Sequence, residues 1–174
     1  MSVKRIAMWS GPRNLSTALM RSFASRNDCS VVDEPFYAAY LKVSGREHPM
    51  KDLILKTYNI DPGRVAYSCV SGSVITRLQY QKHMTHHMLD TFDRSFVYSV
   101  NNAFLIRSPE KVIKSFGKKI IDFSLVDLGY IQQLDLFNMI CDKIGTAPPV
   151  IDADDLCSSP ALILKSLCKK LGIQ

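Results

Sequence analysis

Arg5-Ile6-Ala7-Met8-Trp9-Ser10-Gly11-Pro12-Arg13-Asn14-Leu15-Ser16-Thr17 is the stretch whose reading decides the architecture. Residues 5–9 are a short, mostly apolar run, which reads as a strand buried on both faces. Ser10 to Asn14 is a cluster of chain breakers. From Ser16 to Arg26, Ala18, Leu19, Phe23 and Ala24 recur at helical spacing. A strand that turns directly into a helix leaves backbone N–H groups at the helix start, where the helix dipole favours negative charge. Arg13 adds a fixed cation, and Ser16 and Thr17 add hydroxyl donors. Gly11, Pro12, Arg13, Asn14, Leu15, Ser16 and Thr17 therefore have the make-up of an anion-binding loop. The other reading is an ordinary strand–turn–helix whose serine caps the helix. The loop lacks the Gly-Lys pair of the nucleotide motif GxxxxGKS/T, which disfavours a typical ATPase or GTPase.

The same alternation continues outward. Ser30–Asp33 reads as a second strand, ended by Glu34-Pro35. Residues 36–41 and 50–58 read as helices, and residues 59–75 support no assignment. Thr76–Gln81 alternates as a strand and leads into Lys82-His83. Ala103–Ile106 is a fourth strand. Ser108-Pro109 then opens a helix, with serine as N-cap and proline at the first helical position. Ser124 to Ile144 is the longest helical pattern, with Ser124 and Asp127 at capping-box spacing and Gly145 as its stop. Pro149–Asp152 is a last strand, Ser159-Pro160 opens the final helix and Gly172 closes it. Short apolar strands separated by helices predict a three-layer α/β/α fold around a mostly parallel, about five-stranded sheet.

In such folds ligands bind beyond the carboxyl ends of the strands. That rule selects Ser10–Thr17, Asp33–Tyr37, Lys82–His87 and Arg107–Ser115. Arg107 stands at a strand end, and Ser115 lies roughly two helical turns into the next helix. A guanidinium fork and a hydroxyl so placed can clamp a second phosphate; alternatively, the arginine pairs with a surface carboxylate. Lys82-His83-Met84-Thr85-His86-His87 holds three of the four histidines. His83, His86 and His87 fall at i, i+3 and i+4, so a helical metal site is one reading, although no HExxH or cysteine partner accompanies it. Half-buried histidines capping a helix are another. Glu34 and Tyr37 face an acceptor or simply form a turn set by Pro35. Asp152-Ala153-Asp154-Asp155 reads as a strand-end cap facing water.

Taken together, these segments resemble the sulfotransferases that use 3′-phosphoadenosine-5′-phosphosulfate (PAPS), and most of all the bacterial sulfotransferase-like branch of the P-loop superfamily. The loop of the cytosolic members reads PKSGTT; here Pro12-Arg13-Asn14-Leu15-Ser16-Thr17 takes its place, with Arg13 for the lysine and Leu15 for the glycine. Arg107 and Ser115, with Pro109 two after the arginine, are similar to the family's 3′-phosphate motif. Asp33-Glu34-Pro35-Phe36-Tyr37, Gln81-Lys82-His83-Met84 and the closing Asp155-Leu156, Leu167-Cys168 and Leu171-Gly172-Ile173 look like the bacterial branch. The resemblance implies PAPS as co-substrate, a small hydroxyl or amine acceptor and no metal. It implies that Gly11–Thr17, Arg107 and Ser115 hold the nucleotide, and that His83 is the catalytic base. Lys82 and Arg13 would stabilise developing charge. Glu34, Tyr37, His86 and His87 would border the acceptor. It also implies that the domain, spanning 1–174, is short at its C-terminus. A non-catalytic nucleotide- or phosphate-binding module is the alternative; a divergent kinase is a third.

Composition narrows the choice of partner. The 174 residues are 47% hydrophobic and 22% charged, which excludes a disordered or fibrous chain. The net charge of +6 is segregated: residues 1–27 contribute +5 through Lys4, Arg5, Arg13, Arg21 and Arg26. A basic segment on a near-neutral body suits a small nucleotide-type polyanion rather than nucleic acid. No apolar run approaches a membrane span, and residues 6–9 are too short for a signal-peptide core. Five scattered cysteines suggest reduced thiols and a cytoplasmic protein.

Overall fold

The computed structural model describes residues 3–117 and 123–173. Five strands, β1 (Lys4–Ser10), β2 (Cys29–Asp33), β3 (Leu78–Met84), β4 (Asn101–Ile106) and β5 (Val150–Asp152), form one parallel sheet in the order β2-β3-β1-β4-β5. The α-helices are α1 (Ser16–Ala24), α2 (Tyr37–Ser44), α3 (Lys51–Thr57), α4 (Pro62–Ser71), α5 (Pro109–Phe116), α6 (Tyr130–Ile144), α7 (Ala153–Ser158) and α8 (Pro160–Lys170). The predicted α/β class and parallel sheet are what the chain adopts.

β1 is the central strand, and alternation along it builds the two cores. Ile6 and Met8 face Leu19 and Phe23 of α1 and Leu167 of α8. Ala7 and Trp9 face the opposite layer, with Phe36, Val65 of α4, and Leu136 and Ile140 of α6. All four β1 side chains are fully buried, and burying each large one contributes about 1.5–3 kcal/mol. Covered on both faces, the strand reads as a continuous apolar run.

Several local expectations need correction. Residues 59–75 contain α4, capped by the Asp61 side chain, which accepts from the N–H groups of Gly63 and Arg64. β3 starts at Leu78 rather than Thr76, because the Thr76 hydroxyl accepts from the Ser30 N–H and donates to the Leu78 carbonyl. The pattern from Ser124 to Ile144 is two elements. A 3₁₀ turn, Leu125–Leu128, carries the Ser124–Asp127 capping box, and Gly129 (φ 69°) separates it from α6. Ser108 gives no side-chain cap; Pro109 at the first helical position starts α5 without one. The acidic run after β5 opens α7, with Asp152 accepting from the Asp154 N–H. No described helix is long and apolar enough to cross a membrane, and the five cysteines form no disulfide.

Candidate functional site at the carboxyl edge of the sheet

β1 ends at Ser10, and the chain turns through Gly11–Leu15 into α1. Arg13 (φ 62°) and Leu15 (φ 63°) hold left-handed backbones, as does Glu34 (φ 48°) at the end of β2. These are the non-glycine residues of positive φ among the described ones, and all three lie at one edge of the sheet. Such conformations cost roughly 1–2 kcal/mol each and persist where surrounding contacts impose them. Gly11 is imposed by space: a Cβ there would stand 2.6 Å from the Leu128 carbonyl oxygen. Asn14 Nδ2 donates to the Leu105 carbonyl at 3.2 Å and ties the loop to β4. No side chain caps α1, whose N-cap is Leu15. The capping-serine reading therefore fails, and a helix start without a side-chain cap leaves its first-turn N–H groups open.

A second basic element meets this loop. Arg13 Nε donates to Ser115 Oγ at 3.0 Å, and Arg107 Nη1 donates to the Arg13 carbonyl at 2.9 Å. Asp154 lies 3.9 Å from Arg107 Nε and accepts from Lys111 Nζ at 2.9 Å. Among the described residues no carboxylate pairs with Arg13. On the other side of the loop, the enclosed Lys82 Nζ lies 3.3 Å from Thr17 Oγ1, 2.6 Å from Asp33 Oδ1 and 2.8 Å from Glu34 Oε1. Burial pulls the Lys82 pKa down, but the hydrogen bonds to both carboxylates outweigh it and raise it. Lys82 is thus a fixed cation shared between two acids and the loop.

His83 follows Lys82 on an extended strand, so the two side chains leave opposite faces. The His83 ring stacks on Trp9 (4.3 Å between centroids), beside Phe36 and Phe96, with Nε2 3.1 Å from Gln81 Oε1. It is 2% exposed, and burial pushes its pKa down to about 3. His86 and His87 sit on the 3₁₀ turn Thr85–His87. His87 stacks between Tyr37 (4.9 Å) and Tyr40 (4.8 Å). Burial, with lesser effects from Asp127 and Arg46, holds the His86 pKa at about 4; burial also drives that of His87 well below its ordinary range. A cleft of about 310 Å³ opens here, lined by Tyr37, Tyr40, His86 and Phe116 and by the ion pair Arg46–Asp127. The i, i+3, i+4 argument for a metal presumed a helix that does not form. Among the described residues, no group of three His, Cys, Asp or Glu side chains is placed to hold an ion.

A family model described as a sulfotransferase domain matches residues 4–174. The chain belongs to this family. Among solved structures, the sulfotransferase domain is similar to the sulfotransferase from Alicyclobacillus acidocaldarius, with a TM-score of 0.62 and 10% identity, covering 100% of this chain and 83% of that one. It is also similar to mouse sulfotransferase SULT7A1 complexed with PAP, with a TM-score of 0.52 and 11% identity, covering 100% and 60%. At such identities the likeness concerns the fold alone. Two Arabidopsis thaliana proteins, branched-chain-amino-acid aminotransferase-like proteins 1 and 2, are 36% and 37% identical over 168 residues. That match covers 97% of this chain but 30% of each relative. Their aminotransferase-like name describes proteins of which this domain spans less than a third.

The sulfotransferase domain brings together most of the residues singled out from sequence. Gly11–Thr17, Arg107 and Ser115 form one hydrogen-bonded unit, and Lys82 joins it through Thr17. Glu34 meets Lys82, while Tyr37 packs with His87 one turn of chain away. His83 stands apart, inside the aromatic layer on the far side of β3. Asp33, which sequence reasoning included in the Asp33–Tyr37 segment without giving it a role of its own, is the shortest contact of Lys82. The signal for it was available: Asp33 is the last residue of β2, at the ligand-binding edge.

Proposed function

We propose that the domain binds PAPS across the two basic elements and transfers its sulfuryl group to a small acceptor. The observation that carries this reading is the convergence of Arg13, Arg107 and Ser115 on one side of the loop with Lys82 and Thr17 on the other. The open N–H groups of α1, the positive end of its dipole and the Arg13 guanidinium fit one phosphate-like end of a polyanion. Arg107 and Ser115 fit the other.

PAPS would supply the sulfuryl group and a phosphate leaving group. The chemistry left to the protein is positioning and charge stabilisation, as in phosphoryl transfer. Lys82, held by Asp33 and Glu34 against Thr17, keeps a positive charge beside the loop as negative charge builds on the leaving oxygen. A base must also take the acceptor's proton. The His83 imidazole is enclosed by Trp9, Phe36 and Phe96, leaves its strand on the face opposite Lys82, and has Nε2 3.1 Å from Gln81 Oε1. The Glu34 carboxylate is partly exposed and borders the loop through Lys82. We assign the proton-accepting role to Glu34 and a packing role to His83.

The test is transfer of labelled sulfuryl from PAPS to a panel of small alcohols and amines. Glu34→Gln is expected to lower kcat by about 10²- to 10⁴-fold. His83→Gln is expected to lower the melting temperature while turnover stays of the same order. A panel without turnover, in a protein that still binds the nucleotide, would favour the non-catalytic module. Loss of turnover in His83→Gln with an unchanged melting temperature would restore His83 as the base.

A further inference from the structure

β2 is an edge strand, and beside it runs a groove of about 590 Å³ that belongs to neither basic element. That volume lies within the range of about 300–1,000 Å³ that small-molecule sites occupy. Its walls are Val31, Pro35, Ile54 of α3 and the rings of Tyr37 and Tyr58; Asp33 and Glu34 close the end nearest the loop. Tyr58 is 66% exposed, so its ring is available as a wall that nothing else covers. Among the described residues one cation, Lys82, contacts the two acids. The carboxylates therefore leave a surplus negative charge at the end of an apolar groove, in a chain whose net charge is +6.

Resting on the functional reading above, we propose that this groove is the acceptor subsite and that it selects a small amino alcohol with an apolar or aromatic body. Asp33, 52% exposed on its side chain, takes the ammonium group, and the Tyr37 and Tyr58 faces supply cation–π and apolar contact. Burial, with the nearby Glu34, pushes the Tyr37 pKa up to about 12, so its hydroxyl stays neutral. Asp33 Oδ1 and Glu34 Oε1 both touch the same Lys82 Nζ. A ligand that spans them carries its hydroxyl only a few bonds from its nitrogen. Its hydroxyl oxygen, deprotonated by Glu34, forms the new bond to sulfur as the bond from sulfur to the PAPS phosphate oxygen breaks.

Calorimetric titration of the intact chain with phenylalaninol and with 3-phenylpropan-1-ol, which lacks the amine, tests the assignment. Both ligands are titrated with and without adenosine 3′,5′-bisphosphate. The expected result is at least about tenfold tighter binding of the amino alcohol, the factor that corresponds to roughly 1.4 kcal/mol. Asp33→Asn should abolish that preference, and Tyr58→Ala should weaken both ligands while leaving bisphosphate affinity in place. Equal affinities, a preference that survives Asp33→Asn, or no binding of either ligand under both conditions would overturn the proposal. Bisphosphate binding without amine selectivity would refute this subsite and leave the nucleotide reading intact. Amine selectivity without bisphosphate binding would do the reverse.

Discussion

Gly11 and Glu34 show how much of the site depends on single backbone positions. At Gly11, the Leu128 carbonyl occupies the space where a Cβ would sit. Gly11→Ala must push backbone against backbone, and overpacking of this kind costs about 1–3 kcal/mol. The variant is expected to melt at lower temperature and to bind anions more weakly, measured by thermal denaturation and titration in parallel. A wild-type melting temperature would mean that the loop and the Leu125–Leu128 turn separate easily. At Glu34 and Leu15, the fold accepts left-handed backbones on residues that disfavour them, and Leu15 stands where the resembled motif has glycine. The neighbours Lys82 and His83 carry the other residue-scale lesson. Quoted as a motif they look like partners, yet strand alternation sends only Lys82 to the loop. That rule was already implicit in the sequence once Thr76–Gln81 was taken as a strand leading into Lys82-His83.

Elements buried on both faces were the most legible. β1 and β4 read as short apolar runs because helices cover both sides of the sheet there, while the edge strands β2 and β5 are only partly buried and read through their β-branched residues. Elements whose limits depend on a side-chain hydrogen bond were harder. Thr76 diverts the chain before β3, and Gly129 is held left-handed against Thr85, where a Cβ would meet the hydroxyl oxygen at 2.5 Å. The helix α4 was missed because only Val65 and Cys69 of its residues are fully buried, which leaves too thin an apolar stripe to register as periodic. Its start signal, Asp61-Pro62, is the clearest part of it. Asp61→Ala should therefore destabilise the protein by about 0.5–2 kcal/mol, the usual effect of removing an N-cap. Denaturant unfolding measures this, and no change in midpoint would mean that α4 is held by packing against the Ala7–Trp9 layer alone. The two phosphate elements were legible because each is contiguous in sequence. Their hydrogen bonds to one another, Arg13 to Ser115 and Arg107 to the Arg13 carbonyl, bridge residues roughly a hundred positions apart, and no local pattern encodes that.

At the scale of the molecule, the acid response follows from the histidines packed beneath the ligand edge. His83 is held at about 3, His86 at about 4 and His87 well below its ordinary range, chiefly by burial. Below pH of about 6.5 the unfolded chain binds protons that the folded chain refuses. Their contribution to stability is complete above that pH and is lost as pH falls toward 4, by up to about 1.4 kcal/mol per pH unit for each histidine. Melting temperatures between pH 7.5 and 4.5 should fall on the acid side, less steeply in His83→Gln; a flat profile would contradict the enclosed, neutral histidines. The cations at the ligand edge come from separate segments of the chain. Of the five basic residues in 1–27, Arg13 lies in the loop beyond β1, whereas Lys4 and Arg5 stand at the start of β1 and Arg26 pairs with Asp28 before β2; Arg107 adds a second cation just beyond β4. The central claim is that Arg13, Arg107 and Ser115, with Lys82 and Thr17, form one site for a molecule with two phosphate-like ends. Calorimetric titration with adenosine 3′,5′-bisphosphate tests it most directly. The account predicts saturable binding at a 1:1 ratio, weakened at least about tenfold, or roughly 1.4 kcal/mol, in both Arg13→Ala and Arg107→Ala. No bisphosphate binding, together with tight binding of ATP–Mg²⁺, would contradict it.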